Sequence, residues 1–370
     1  GVQHNSYHTL RFIKFMLPDG NRYNTENRED YHRFLNESAP LYNTIVQLKN
    51  QLCSNVALVA KIRHKYQLKN TVGYGLNAFV VMETLPDNPF KITGLLYFDN
   101  PVSACNAVPA LKATGAATLE LMDRAALRSI ENQEDAPSLI QYLPYQATAI
   151  LCEYQAADLV ALMAKYEAAL PFIEPLPLLH PVHFTTDARQ QYIYWKLRKG
   201  MYPSVAAARK KGTTVLLEDI ALPVERLGEG VLDIQQLMQQ HGYANSIIFG
   251  HAKEGNLHFV MSQSMSEPAA IQAFDLFAKD LAALVIDKYN GSLKGEHGTG
   301  RQIAPFVKDE WGSDAYQIMQ ALKNAIDPHN LLNPGVILNN DPNCHIHHLK
   351  TLPVVEEEVD KCIECGYCEN

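Results

Sequence analysis

Long apolar runs are missing from this chain of 370 residues. None reaches the roughly 18 to 20 residues that a membrane-spanning helix requires, and no charged-then-apolar leader opens the sequence. A soluble, unexported, cytoplasmic product is expected. An excess of positive charge is missing as well: 40 acidic residues against 32 basic ones give a net charge of −8. That excludes a general nucleic-acid binder, because neutralising phosphates takes clustered Lys and Arg. The one basic cluster, "ARKKG" at 208–212, has the composition of a solvated loop. Cysteine is sparse and uneven. Of the seven, Cys53, Cys105, Cys152 and Cys344 are scattered and the other three crowd the last residues. This is no secreted disulfide framework, and it suits a reducing cytosol. Internal repeats are absent too.

What is present points to an α+β fold. The length allows two or three domains and a large core. "TLRFIKFMLPDGNRY" predicts a strand pair around an Asp-Gly turn, and "YNTIVQLKNQL" has helical periodicity. Strands and helices then alternate over 91–265: "KITGLLYFD" and "ATAILCEYQ" are strands, while "NPVSACNAVPALKAT" and "AADLVALMAKYEAAL" are helices. Strands with helices laid on one face describe an α+β sandwich. Long helices are expected at 269–289 and 314–327. After them "NNDPNCHIHHLKTLPVVEEEVD" has the polar, proline-containing composition of a linker.

The most informative stretch is "GHAKEGNLHFV" at 250–260. On a helix, His251 and His258 would lie about 10 Å apart along the axis, and on one extended strand they would point to opposite faces. A hairpin resolves this. "SIIFG" and "LHFVM" are strands, "KEGN" is a tight turn, and the two histidines face each other roughly 5 Å apart at Cβ. Two imidazoles at that separation can converge on one ion, although a hairpin with two partly exposed histidines is the plainer reading of the pair alone. "LKGEHGTGR" at 293–301 adds Glu296 and His297 among glycines. A carboxylate would complete a two-His, one-carboxylate site with open positions, and His297 beside it could move a proton. The same glycines do not have the order of a dinucleotide-binding fingerprint.

"CIECGYCEN" places Cys362, Cys365 and Cys368 at two consecutive two-residue gaps. Zinc ribbons use separated CxxC pairs, whereas C-x2-C-x2-C wraps one face of a 4Fe-4S cluster, whose fourth cysteine would lie just past Asn370. Half of a zinc ribbon is the competing reading. Cys344, His345, His347 and His348 have the residue types of a metal tract. No second cluster with ligand spacing accompanies them, so they are expected to be solvated linker residues.

Taken in order, "GHAKEGNLH", "GEHGTGR", "DPHNLLNPGVIL" and "CIECGYC" resemble the FAD-linked D-2-hydroxyacid dehydrogenases. These are the D-lactate and D-2-hydroxyglutarate dehydrogenase type of the vanillyl-alcohol-oxidase-like flavoproteins, in the bacterial branch fused to a 4Fe-4S ferredoxin-type domain. The resemblance runs over essentially the whole chain and implies four parts. Residues 1–90 would be the C-terminal part of a PCMH-type FAD-binding domain. Residues 91–304 would be an α+β cap with an antiparallel sheet and the metal site. Residues 305–340 would be a helical return, and 341–370 a linker with the start of the iron–sulfur domain. The family's glycine-rich loops for the FAD pyrophosphate are not found here, nor is the Gly-Ser-Glu-Gly segment expected between "GYGLNAF" and "VVMETLPD". Phe79–Val80 therefore resembles a junction at which residues are missing, and omission is favoured over true truncation because both ends break inside motifs.

By the same resemblance, His251, His258 and Glu296 would hold a divalent ion, zinc by preference. His297 would be the general base, Arg198 in "YWKLRKGMYPSV" would take the substrate carboxylate bidentately, Asn256 would contact substrate or flavin, and Asn333 would lie near the flavin ring. Leu217 stands where the hydroxyglutarate enzymes carry a lysine, a lean toward a short monocarboxylate unless Arg209, Lys210 or Lys211 substitutes. Cofactors implied are FAD, the metal and the 4Fe-4S cluster. Partners implied are a small 2-hydroxy acid and a quinone or other electron carrier. Peripheral association with the inner face of a membrane and homo-oligomer formation are compatible with the family. Two other functions use the same residues: a metal-dependent hydrolase without flavin, and a non-catalytic electron-transfer subunit.

Overall fold

The computed structural model describes residues 12–17, 19–76, 88–133, 135–243, 246–349, 355–360 and 362. Phe79 and Val80, with the junction expected between them, lie outside these residues, as do Cys365 and Cys368. The chain forms two compact units, Gly1–Pro86 with Ser292–His347 and Asp87–Gly291 with His348–Asn370.

In chain order the first unit opens with strands β1 (Lys14–Met16) and β2 (Arg22–Asn24) and helices α1 (Arg28–Glu37), α2 (Ala39–Ser54) and α3 (Val56–Lys65). The second unit supplies β3 (Phe90–Phe98), α4 (Pro101–Ala113), β4 (Thr118–Met122), α5 (Arg124–Arg128), β5 (Thr148–Ala156) and α6 (Leu159–Ile173). It continues with α7 (Ala188–Ala207), β6 (Thr214–Ala221), α8 (Leu227–Gln240), β7 (Ile247–His251), β8 (Asn256–Gln263) and α9 (Pro268–Ala283). The chain then returns to the first unit through α10 (Gly300–Ile303), α11 (Val307–Trp311) and α12 (Ser313–Ile326), and α13 (Glu357–Asp360) belongs to the second.

The second unit is built on one antiparallel sheet of order β3-β5-β4-β7-β8-β6. Adjacent residues of a strand point to opposite faces. On β5, Glu153 accepts a hydrogen bond from the indole N–H of Trp195 on α7 at 2.9 Å, while its neighbour Tyr154 meets Tyr166 of α6 on the other face. The α7 face carries a core of Leu95, Met122, Leu151, Phe249 and Val260 closed by Leu197 and Met201. Leu151 is fully buried, so its truncation to Ala is worth about 2–5 kcal/mol. The opposite face is covered by α4 and α6, with α8 packed on α4 and α9 on α8. Side chains that accept from the first turn set helix starts: Asn100 for α4, Asp158 for α6 and Asp187 for α7. Cys105 and Cys152 are buried free thiols, and burial pushes both up to about 12, so they are inert rather than reactive.

In the first unit, the segment around Thr71 is stitched to the loop at 292–299. The amide of Thr71 donates to Lys294 O at 2.8 Å, the amide of Gly298 donates to Thr71 Oγ1 at 3.0 Å, and the amide of Gly73 donates to Thr299 Oγ1 at 2.8 Å. Trp311 on α11 donates to Val72 O at 2.9 Å and closes the packing behind it. These bonds hold the loop that carries Glu296 and His297.

The expected solvated linker is not what forms at its first residues. Cys344 and His345 are 3% and 4% exposed. Cys344 Sγ lies 3.3 Å from the carbonyl of Arg301, and the His345 ring packs 5.5 Å from that of Phe306. His347 Nδ1 sits 2.7 Å from Asp341 Oδ2. The tract is thus folded onto the helical return by packing that polar composition does not reveal.

Candidate active site

The predicted hairpin exists, with a different turn and register. After β7 the chain makes a 3-10 turn at Ala252–Glu254 and leaves it through Gly255 in the left-handed region (φ 68°). A Cβ on Gly255 would collide with the carbonyl of Leu222, and one on Gly250 with the carbonyl of Asn256. Only glycine allows these approaches. His258 consequently faces Phe249 across the strands, and His251 lies two residues further along β7, diagonal to His258 rather than directly opposite. The longer turn shifts the pairing but keeps both histidines on one face. Their rings lie 5.3 Å apart between centroids, perpendicular to each other. Neither is the partly exposed residue of the plainer reading: they are 7% and 3% exposed.

Two carboxylates that escaped the sequence reading sit behind them. Glu120 is opposite His251 in the β4–β7 pairing, and Asp219 is opposite His258 in the β6–β8 pairing. Glu120 Oε1 lies 2.6 Å from His251 Nδ1. Asp219 Oδ1 lies 3.5 Å from His258 Nδ1 and accepts from Asn256 Nδ2 at 2.7 Å. Asn256 also donates to Ile220 O at 2.8 Å and is fully buried. The available signal was a carboxylate within an apolar strand, alone in "TLELM" for Glu120 and next to Glu218 in "TVLLEDIA" for Asp219.

Arg198 joins the same cluster from α7. Gln191, Trp195 and Arg198 fall at i, i+4 and i+7, one face of a helix. Each reaches the sheet: Gln191 donates to Lys91 O at 2.9 Å, Trp195 to Glu153, and Arg198 Nε to Glu120 Oε2 at 3.0 Å. Arg198 Nη2 also lies 2.9 Å from that oxygen, and its guanidinium stacks 4.5 Å from the centre of the Phe249 ring. One edge of the fork is therefore committed to Glu120.

In the first unit, Glu296 is ion-paired with Lys69 at 2.9 Å, and the exposed His297 has Nε2 at 3.9 Å from Glu296 Oε1. Asn333 is exposed, with a left-handed backbone (φ 45°) ahead of Pro334. In the second unit Leu217 pairs with Val260 and packs into the α7-side core. Arg209 is occupied by α13, donating to Asp360 Oδ2 at 3.0 Å and to Cys362 O at 3.2 Å. Cys362 alone of the terminal cysteines is within the described residues.

The donor set around His251 and His258 fits a divalent ion. His251, with Nδ1 turned to Glu120, presents Nε2 as its coordinating atom, the usual arrangement behind a metal-bound histidine, and His258 is buried on the same face with Nδ1 3.5 Å from Asp219 Oδ1.

The family model described as FAD linked oxidases, C-terminal domain, matches residues 88–337. The chain belongs to that family, whose cofactor is FAD. It is similar to the glycolate oxidase subunit GlcD of Bacillus subtilis, 25% identical over 299 residues that make up 80% of this chain and 61% of that protein. The mitochondrial D-lactate dehydrogenase [cytochrome] of Kluyveromyces lactis is 29% identical over 168 residues, 44% of this chain and 28% of that protein. D-2-hydroxyglutarate dehydrogenase of Pseudomonas putida is 37% identical over 121 residues, 33% of this chain and 12% of that protein. The matched region thus spans less than two thirds of each relative's length. Among the described residues no helix is long and apolar enough to cross a membrane.

Proposed function

We propose that the complete protein oxidises a D-2-hydroxy acid, of the D-lactate or D-2-hydroxyglutarate kind, to the 2-oxo acid, using FAD and passing electrons through a 4Fe-4S domain to a quinone or another carrier. The observation that carries this reading is the buried cluster of His251, His258 and Arg198 in a chain of the FAD-linked oxidase family. His251 and His258, with Glu296 as third ligand, would hold a divalent ion, zinc by preference. Arg198 would bind the substrate carboxylate with the part of its guanidinium not committed to Glu120. His297 would take the hydroxyl proton, Asn256 would line the substrate side of the hairpin, and Asn333 would lie near the flavin ring. When bound, the flavin supplies a hydride acceptor at N5, the metal a Lewis acid for the hydroxyl oxygen, and the cluster, held in part by Cys362, Cys365 and Cys368, a one-electron exit. Leu217 in an apolar setting, together with the engagement of Arg209 by α13, favours a substrate with a single carboxylate.

The deciding experiment is the visible spectrum of the complete gene product, followed by addition of D-lactate, D-2-hydroxyglutarate and glycolate in turn. Resolved flavin bands that bleach with one of these acids are expected. A broad cluster absorption without flavin would favour the electron-transfer subunit, and a colourless metal-bearing protein would favour a hydrolase.

A further inference from the structure

We propose that Glu120 is a positioning residue: a single buried carboxylate that selects the tautomer of His251 and at the same time orients Arg198, so that metal donor and guanidinium are held at a set separation. The inference rests on the reading of His251 and Arg198 given above. Glu120 is 1% exposed and reaches one partner with each oxygen, His251 Nδ1 with Oε1 and the Nε and Nη2 of Arg198 with Oε2. Paired with a guanidinium, it is a carboxylate, and a carboxylate only accepts hydrogen bonds. The contact at 2.6 Å therefore places the His251 proton on Nδ1 and leaves the Nε2 lone pair for a ligand. The same carboxylate fixes the Nε edge of Arg198, which the Phe249 ring supports from the side. A 2-hydroxy acid carries its hydroxyl and carboxylate on adjacent carbons. It therefore needs its Lewis acid and its guanidinium at one separation, and Glu120 is the group that touches both holders.

A purely structural ion pair would predict something different from this arrangement. In Glu120→Gln the amide oxygen must face Arg198, because an amide NH2 against a guanidinium sets donor against donor. The NH2 then faces His251 and demands an acceptor at Nδ1, which moves the ring proton to Nε2, the atom required for coordination. An isosteric change that leaves packing intact thus inverts the tautomer.

The test uses the full chain labelled with 15N-histidine, metal-free, with the His251 signal assigned by its loss in His251→Asn. Wild type is expected to show the proton on Nδ1, and Glu120→Gln to show it on Nε2. Zinc affinity, from competition with a chromophoric chelator, is expected to fall by about 10- to 100-fold in Glu120→Gln, the range for partners of metal-bound histidines. A wild-type ring protonated on Nε2 overturns the proposal without any variant having to fold, and so does a Glu120→Gln protein with unchanged tautomer and zinc affinity. A wild type that binds no zinc overturns the metal reading instead, while the tautomer still decides the role of Glu120.

Discussion

Lys65 places its Nζ 3.8 Å from Oε1 of Glu310, with both side chains closed to solvent. Glu310 also accepts from Asn70 Nδ2 at 2.7 Å and from the Leu293 amide at 2.9 Å. One carboxylate thus satisfies the ends of both segments that hold the Glu296–His297 loop. Desolvation raises the Glu310 carboxyl and lowers the Lys65 ammonium, while each opposes the shift of the other. The pair is therefore a poor source of net stability but costly to break. Glu310→Ala should cost about 3–5 kcal/mol in urea denaturation, because it strips the counter-charge from Lys65 and the acceptor from two donors. The double change Lys65→Met with Glu310→Leu should recover much of that. A Glu310→Ala loss below about 1 kcal/mol would show that the interaction is solvated after all.

A second expectation concerns pH. Asp123, directly after β4, is buried at the start of α5, where its carboxyl group accepts from the Ala126 amide at 2.8 Å. Burial pushes it from the ordinary 3.8 up to about 7, against the lowering effect of its hydrogen bonds. Because the folded value is raised, the contribution is full below pH 3.8 and is lost as pH rises toward about 7. The ionised group then costs on the order of 4 kcal/mol. Asp123→Asn keeps a side-chain cap and cannot ionise. Relative to wild type it should gain stability steadily between pH 4 and 7, measured as the difference in denaturation midpoint. A pH-independent difference would mean that Asp123 titrates normally.

His297 and His258 separate proton transfer from metal binding. In the complete protein His297→Ala should lower kcat by a factor on the order of 10² to 10⁴ with metal content unchanged. His258→Ala should lose the metal itself, as measured by elemental analysis. Should His297→Ala lose its activity only by losing metal, the histidine would be a ligand and not the base.

Period and turn chemistry made much of this fold legible. The apolar run in "KITGLLYFD", the good helix formers in "AADLVALMAKYEAAL" and the Asp-Gly turn all give the elements expected of them. The histidine pair was legible as a hairpin because only that geometry unites residues seven apart. Its register was not, since the pairing depends on a 3-10 turn and a left-handed Gly255 that a four-residue loop does not announce. Glu120 was hidden for another reason. It reaches His251 from a strand 131 positions away in sequence, and which strand neighbours which is decided by packing of the whole sheet. The burial of Cys344 and His345 escaped for the same cause, because their partners Arg301 and Phe306 lie on other elements.

The last prediction concerns the tail. Arg209, just past α7, donates to the Asp360 carboxylate, to the Asp360 carbonyl and to the Cys362 carbonyl, with side chains of Arg209 and Asp360 only 7% and 10% exposed. Charge-assisted bonds from a planar fork fix direction as well as distance. The helix that brings Arg198 to the sheet is thus followed by the residue that docks the segment leading into the cysteine cluster. Four-residue α13 could not persist on its own helical propensity. Arg209→Ala should therefore release it: the amides of Asp360 and Cys362 should lose hydrogen-exchange protection, and a protease should cut there sooner, while the amides of β7 and β8 stay protected. Arg209→Lys, which keeps the charge but not the fork, should fall between the two. Unchanged exchange at Asp360 and Cys362 in Arg209→Ala would show that the tail is held by something other than this clasp.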